Sequence, residues 1–350
     1  MQKKTVYIPK SPGNRELSER EKDVLRRVIQ LYILKASPVG SRTLSKNIKE
    51  DLSPATIRNV MSDLEELEFI SHPHTSAGRI PTDKGYRFYV DSLVELESLT
   101  KNEILALETT LKHSETVYKD ASKILGILSS YLSVVALPHL IDLKVLKIEL
   151  ISLFSNKLLI IIALDSNFVK TVTLEVDFEI ENKQLDQITG YINERISGKP
   201  LIFIRDNFKE MLMDFELKDT PLMRLFFDSI DNIFDVKNTK EKIHIAGTPN
   251  LLEYPEFGVP ERLKGIIELL ENEDVIIHLL DKYQYSEKGI QVLIGKEMED
   301  EMLEDYSLVV SKYKFDSASG SIGIIGPKRM PYSKMMSLVK YVAEFITKSS

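Results

Sequence analysis

Between residues 54 and 62 lies a run of side chains with the chemistry to read nucleobases. Arg58 can give two parallel hydrogen bonds to a guanine edge, and Asn59 can donate to and accept from an adenine edge. Ala55 or Thr56 can meet a thymine methyl, and Ser62 can bond either kind of edge. A second set, Arg42, Thr43, Ser76, Arg79, Lys84 and Arg87, carries cations and hydroxyls suited to phosphate oxygens, which fix a protein on a duplex without reading its bases. On an arbitrary helix such residues are ordinary solvated surface, so the elements around them decide.

Those elements are legible. Ser18 followed by Glu21 is a capping-box pattern, and Val24, Leu25, Val28, Leu31 and Tyr32 recur at helical spacing until Ser37-Pro38 ends the helix. After the turn at Val39-Gly40, Ser41 is read as the cap of a short second helix with Leu44 and Ile48 inward. Ser53-Pro54 is a cap with proline at the first helical position, where its missing N–H costs nothing. The third helix turns Ile57, Val60, Met61, Leu64 and Leu67 inward, which leaves the base-reading run outside. Residues 69–73 and 79–81 read as two strands around a turn at 75–78, and Thr82 caps a fourth helix with Lys84 and Arg87 free to face DNA. Two short helices, a tight turn and a following hairpin form a winged helix-turn-helix.

Charge supports this order. The net charge of −7 argues against a nucleic-acid binder, but residues 1–90 hold 16 Lys plus Arg against 11 Asp plus Glu, a net +5, and the remainder holds 30 against 42, a net −12. A basic head on an acidic body keeps anionic DNA at one end. The absence of cysteine excludes disulfides and thiolate zinc sites and fits a reducing cytoplasm. His72-Pro-His74 lacks a partner cluster, so a polar hairpin is the simpler account than a metal. The longest apolar run, 158–164, is strand-sized, so no membrane partner is expected. Residues 1–16 read as a loose tail without a secretory signal.

The run Ser53-Pro-Ala-Thr-Ile-Arg-Asn59, then Asp63-Leu-Glu-Glu-Leu67, then residues 73–91 from Pro73 through Arg79-Ile-Pro-Thr-Asp-Lys-Gly-Tyr-Arg87 to Asp91, closely resembles the HrcA family of heat-inducible transcription repressors. Pro38-Val-Gly-Ser-Arg-Thr-Leu-Ser45 and Gly323-Ile-Ile-Gly-Pro-Lys-Arg-Met330 look like the same family. The resemblance implies a homodimer on the palindromic CIRCE operator of chaperone operons such as groE and dnaK, released by heat and restored with a GroEL-type chaperonin. It also implies a winged helix, a GAF-like domain and a dimerising segment inserted within that domain. The sequence departs from the family at Val60, where glutamate is usual, at Glu68, where many relatives carry a helix-ending glycine, and at Pro331.

In the body, helical spacing runs from Glu95 to Leu132 as a connector. Residues 146–154, 158–164 and 169–176 form a strand meander, 290–294, 308–313 and 321–325 are further strands, and Met335, Leu338, Val339, Val342, Phe345 and Ile346 mark a final helix. The fold class expected is α+β: a winged helix-turn-helix at 17–98, a GAF-like α/β domain from 99–180 plus 285–350, and an inserted dimerising α+β segment at 181–284. Leu222, Leu225, Phe226, Ile230 and Phe234, with Met211, Met213 and Phe215 upstream, make too much apolar face for one contact. They either fill a monomer core or pair across a two-fold axis, and the resemblance favours the interface. The glycines at 320, 323 and 326 lack the G-x-G-x-x-G spacing and a following helix, so a packed strand is preferred over a phosphate loop, and no cofactor is expected. Rival readings are a metabolite-responsive winged-helix repressor with a ligand-binding GAF-like domain, and a nucleotide-dependent enzyme. The latter lacks any Walker loop, metal cluster or nucleophile constellation in the sequence.

Overall fold

The computed structural model describes residues 16–47, 52–73, 78–112, 114, 116–138, 143–153, 156–165, 168–234, 243–251, 253–258, 260–282, 289–315 and 318–349. The tail expected at 1–16 lies, save Glu16, outside them.

The head forms as its caps dictate. The Ser18 hydroxyl accepts from the Glu21 amide while the Glu21 carboxylate accepts from the Ser18 N–H, so α1 (Glu19–Lys35) starts with two orphan donors satisfied. The next helix, α2 (Ser41–Ser45), is capped by Gly40 without a side-chain bond; Ser41 is its first residue and not its cap. At the third, the Ser53 hydroxyl accepts from the Thr56 amide at 3.1 Å and Pro54 opens α3 (Pro54–Glu66). β1 (Ile70–Ser71) and β2 (Ile80–Pro81) pair antiparallel as a wing, and Arg79 forms a bridge with Val39 that ties this hairpin to the inter-helix turn. α4 (Asp83–Phe88), capped by Thr82, runs into a π-helical turn, Tyr89–Leu93. Val24, Leu25, Val28, Leu44, Ile57, Leu64 and Ile70 are buried between them.

Residues 94–100 have neither helix nor strand and lead to α5 (Lys101–Leu111) and α6 (Val117–Ser129). Where a connector helix was expected to continue, β3 (Leu132–Ala136) begins. The chain then makes β4 (Val145–Leu153), β5 (Lys157–Leu164), β6 (Val169–Glu175), α7 (Asn182–Ile196), α8 (Leu201–Met211), α9 (Pro221–Asp228) and α10 (Ile230–Phe234). β7 (Ile243–Ala246), α11 (Thr248–Leu251), α12 (Pro260–Glu271), α13 (Glu273–Lys282), β8 (Ile290–Ile294), β9 (Tyr306–Phe315), β10 (Ala318–Pro327) and α14 (Tyr332–Ser349) complete it.

Among the described residues the body has two sheets. Five antiparallel strands run in the order β7-β3-β10-β9-β8. Val135, Val309, Ile322 and Ile324 face a core shared with α5, α6, α14 and the head. Leu132, Val134, Leu308, Val310 and Ile325 face the opposite core beneath α11–α13. Burial on both faces explains why these strands read as unbroken apolar runs. At Gly320 an added Cβ would lie 2.3 Å from the Tyr313 hydroxyl, so this glycine serves close strand packing.

β4-β5-β6 pair with one another as the expected meander but do not join that sheet, which corrects their placement in one domain with the strands of 285–350. They form a meander backed by α7–α10, with its own core. The inserted unit therefore lies between β3 and β7, which pair with each other, and not at 181–284. The second correction concerns the helices expected at a dimer interface. Leu222, Phe226 and Phe234 are essentially inaccessible and Phe215 is buried, filling the monomer core with Phe208. Met211, Leu225 and Ile230 are half-buried against it, and only Met213 is exposed. A three-stranded sheet needs one face covered, and these side chains are what cover it.

Candidate DNA interface

α3 is amphipathic in the sense required. Ile57, Val60, Met61 and Leu64 are buried, while Ala55, Arg58, Asn59 and Ser62 are exposed along one outer face. Thr56 is half-buried, its hydroxyl 2.9 Å from that of Ser53, so it serves the cap as well as the face. The exposed positions that follow, Asp63 and Glu66, are acidic and would repel phosphate. Contact chemistry is thus confined to the stretch from Ala55 to Ser62, which includes the N-terminal turns that carry the positive end of the helix dipole. Among the described residues Arg58 on α3 and Arg42 on α2 are held in no ion pair. Thr43, half-buried beside Arg42, accepts from the Asn47 amide through its carbonyl at 2.7 Å.

The other expected phosphate-binding cations are differently placed. Arg79 gives Nε and Nη2 to the Glu65 carboxylate at 2.9 and 2.8 Å, and His72 bonds the other oxygen of Glu65. Arg79 therefore clips the wing to the end of α3. Lys84 is exposed, but its ammonium donates to the Leu67 carbonyl at 2.8 Å and sits 5.0 Å from the Phe69 ring centre, closing the C-terminus of α3. Arg87 is not free: it turns toward the body, donating to both oxygens of Glu297 and, at 2.6 Å, to the Val292 carbonyl. Burial opposes its charge, yet the Glu297 carboxylate overcomes this and holds the guanidinium above its usual pKa. Ser76 lies outside the described residues. In each displaced case a carboxylate or carbonyl of the fold satisfies the cation at closer range than sequence spacing reveals.

Two features escaped the sequence reading. Glu65 organises the wing, and its only signal was an acid one turn beyond the outward run. Lys328 and Arg329 stood in a quoted motif without a role; both reach the head. Glu68, in contrast, fits its reading. It adopts a left-handed conformation, φ +63°, where a glycine would be unstrained.

Residues 16–92 match the model of the winged helix-turn-helix transcription repressor domain described as HrcA DNA-binding, and residues 115–336 that of the HrcA protein C-terminal domain. A heat-inducible transcription repressor HrcA of Chlorobium phaeobacteroides (strain BS1) is 36% identical over 347 residues, covering 95% of this chain and 98% of its own. That of Chlorobium chlorochromatii (strain CaD3) is 38% identical over 335 residues, covering 94% and 96%. A crystal structure of a hypothetical protein at 2.2 Å resolution is 28% identical, with a TM-score of 0.63 over 96% of this chain and 100% of that one.

Proposed function

This chain belongs to the HrcA family, and from that premise we propose that it is a heat-shock transcriptional repressor placing one α3 in each half of the palindromic CIRCE operator. The observation that carries the reading is the outer face of α3: exposed Ala55, Arg58, Asn59 and Ser62, on a helix capped at the operator end and flanked by a wing. Arg58 and Asn59 read base edges, Ala55 and Thr56 meet methyl groups, and Arg42 with Thr43 holds phosphate. Arg79 and Lys84 act chiefly by shaping wing and helix end.

A palindrome calls for a two-fold dimer. With α8–α10 spent on the monomer core, the surface best suited to a second copy is the uncovered face of β4–β6. There the register brings Ile151 beside Leu159, and Ile161 and Ala163 beside Thr171 and Val169. Val169 is 63% exposed and Ile151 40%, an aliphatic patch flanked by Lys147, Glu149, Lys157 and Glu175. Charges of both signs around an apolar centre suit a surface that meets its own copy. Heat that separates the dimer uncovers this patch, which is where a GroEL-type chaperonin would bind and shift the population back.

The deciding experiment is a footprint of the purified protein on the chaperone promoters of its own genome. Protection of an inverted repeat supports the reading; uniform, salt-labile binding without a protected palindrome rejects it. Light scattering before and after heating tests the dimer step, and dimers that persist while DNA is lost would refute it.

A further inference from the structure

The head is joined covalently to the body by residues 94–100, which have no regular structure. Such a connector spans at most about 25 Å fully extended. Half a turn of duplex is about 17 Å. By itself, then, the connector would let a head shift between operator spacings half a turn apart.

A polar seam opposes that freedom. Asp83 and Arg87 stand one turn apart on one face of α4, carrying opposite charges. The body presents the reverse pattern: Lys328 donates to Asp83 at 2.7 Å and Glu297 accepts from Arg87 at 2.8 Å. Gly295 brings the body backbone so near that an added Cβ would overlap the Asp83 carboxylate. A third contact comes from Arg329, which is pinned by Glu256 at 2.9 Å and reaches the Ile33 carbonyl near the end of α1 at 3.3 Å. Between these pairs the buried Tyr86 ring lies 5.9 Å from that of Tyr332, inside a core common to both units.

Crossed charge pairs do more than attract. Sliding α4 by one turn brings Asp83 toward Glu297 in one direction or Arg87 toward Lys328 in the other, so either displaced register is repelled as well as unrewarded. The apolar contact alone has no such directional preference. We propose that Asp83, Arg87, Glu297, Lys328 and Arg329 are positioning residues that fix the angle of each recognition helix on the body, and thereby set the half-site spacing the dimer accepts. The proposal rests on the operator-binding reading above and assigns spacing to the body while base choice stays with α3.

The test measures binding of the full chain to palindromes whose half-sites are kept constant while their separation changes by about five base pairs, half a helical turn. The wild type should prefer one spacing by at least about tenfold, and Lys328→Asp should reduce that ratio to about threefold or less. The same variant should reject a base change within one half-site as strongly as the wild type does; a general loss of stability lowers the competent fraction alike for every duplex and leaves both ratios unchanged, so a fall in the spacing ratio alone reports the seam. Asp83→Lys combined with Lys328→Asp should restore the ratio. Glu297→Gln, nearly isosteric, should relax spacing on its own and carries the test if Lys328→Asp does not fold. A folded Glu297→Gln or Lys328→Asp protein that keeps the full spacing ratio overturns the proposal. So does a variant that loses base and spacing discrimination together. A wild type that binds no palindrome at any spacing defeats the operator-binding reading itself, and the two failures are thus separable.

Discussion

The outer face of α3 and the outer face of β4–β6 are built alike. Each belongs to an amphipathic element whose inner side is sealed, by Ile57 and Leu64 in the helix and by Leu158, Ile160 and Ile162 in the sheet. What differs is the exposed half. On α3 it is small, polar and cationic, groups that lose little by remaining in water and gain directional bonds on a base edge. On the sheet it is aliphatic, and leaving it in water forfeits about 25 cal/mol for each Å² that a partner would cover. One surface suits a charged, patterned ligand; the other is stabilised by apolar cover, which in the proposed dimer is its own copy.

The sheet face gives the largest expected effect. Ile161→Asp puts a charge at the centre of that patch, where it is half-exposed in the monomer but would be desolvated in a dimer. The chain should sediment as a folded monomer, and operator affinity should fall by about 10²–10⁴, the avidity lost when two heads become independent. A variant that stays dimeric would move the interface elsewhere. The helices behind the sheet provide the contrast. Phe226→Ala should cost about 3–5 kcal/mol of unfolding free energy, whereas Met213→Ala should stay within about 0.5, as surface changes usually do. Comparable losses at the two positions in denaturant melts would return α8–α10 to the list of interface elements.

That contrast also marks what the sequence made legible. The head was readable because its information is local: Ser18 with Glu21, Ser53 with Pro54 and Thr82 act within one turn of themselves. The strands at 145–153, 157–164 and 169–175 were readable one by one for the same reason. Their allocation between sheets was not, since pairing is long-range and an apolar run does not name its partner. The apolar excess at Leu222 and Phe226 looked the same for a core as for an interface until β4–β6 was seen to need covering. Arg79 and Arg87 misled because Glu65 and Glu297, 14 and 210 residues away, claim them. β3 was hidden by a helix-like spacing that carries through Leu128 into Leu132.

On the α3 face, Arg58→Ala should weaken binding to the operator by about 1–3 kcal/mol and relax the preference at one base pair. Arg42→Ala should weaken all sequences alike and flatten the salt dependence. Titrations of matched and mismatched duplexes at two salt concentrations separate them. Full operator preference in the Arg58 variant would shift base reading to Asn59 or the wing. Smaller again is Glu68→Gly, at the left-handed end of α3. Releasing a non-glycine residue from that conformation should stabilise the head by about 1 kcal/mol, less the entropy a glycine adds to the unfolded chain. Heat unfolding checks it, and a destabilised variant would mean that the Lys84 ammonium, 4.0 Å from the Glu68 carboxylate, outweighs the strain.

The smallest expected effect is a control that touches neither face. At the start of α5 the Lys334 ammonium bonds the Glu103 carboxylate at 2.7 Å, and the Thr100 amide donates to it at 2.8 Å. Led by the Lys334 bond, these hold its pKa down to about 2 from an ordinary 4.5. A carboxyl whose pKa is depressed by folding binds fewer protons folded than unfolded, so it stabilises the native state at higher pH. That contribution is fully present above about pH 4.5 and drains away as pH falls toward 2. Melting temperatures of wild type and Glu103→Gln should differ near neutrality and converge across that window, with operator affinity and dimerisation at neutral pH the same in both. A constant gap down to pH 2 would show that Glu103 acts through shape and not charge. A loss of operator binding would tie α5 to the heads, and the proposed division between a base-reading face and a self-pairing face would need a third, connecting element.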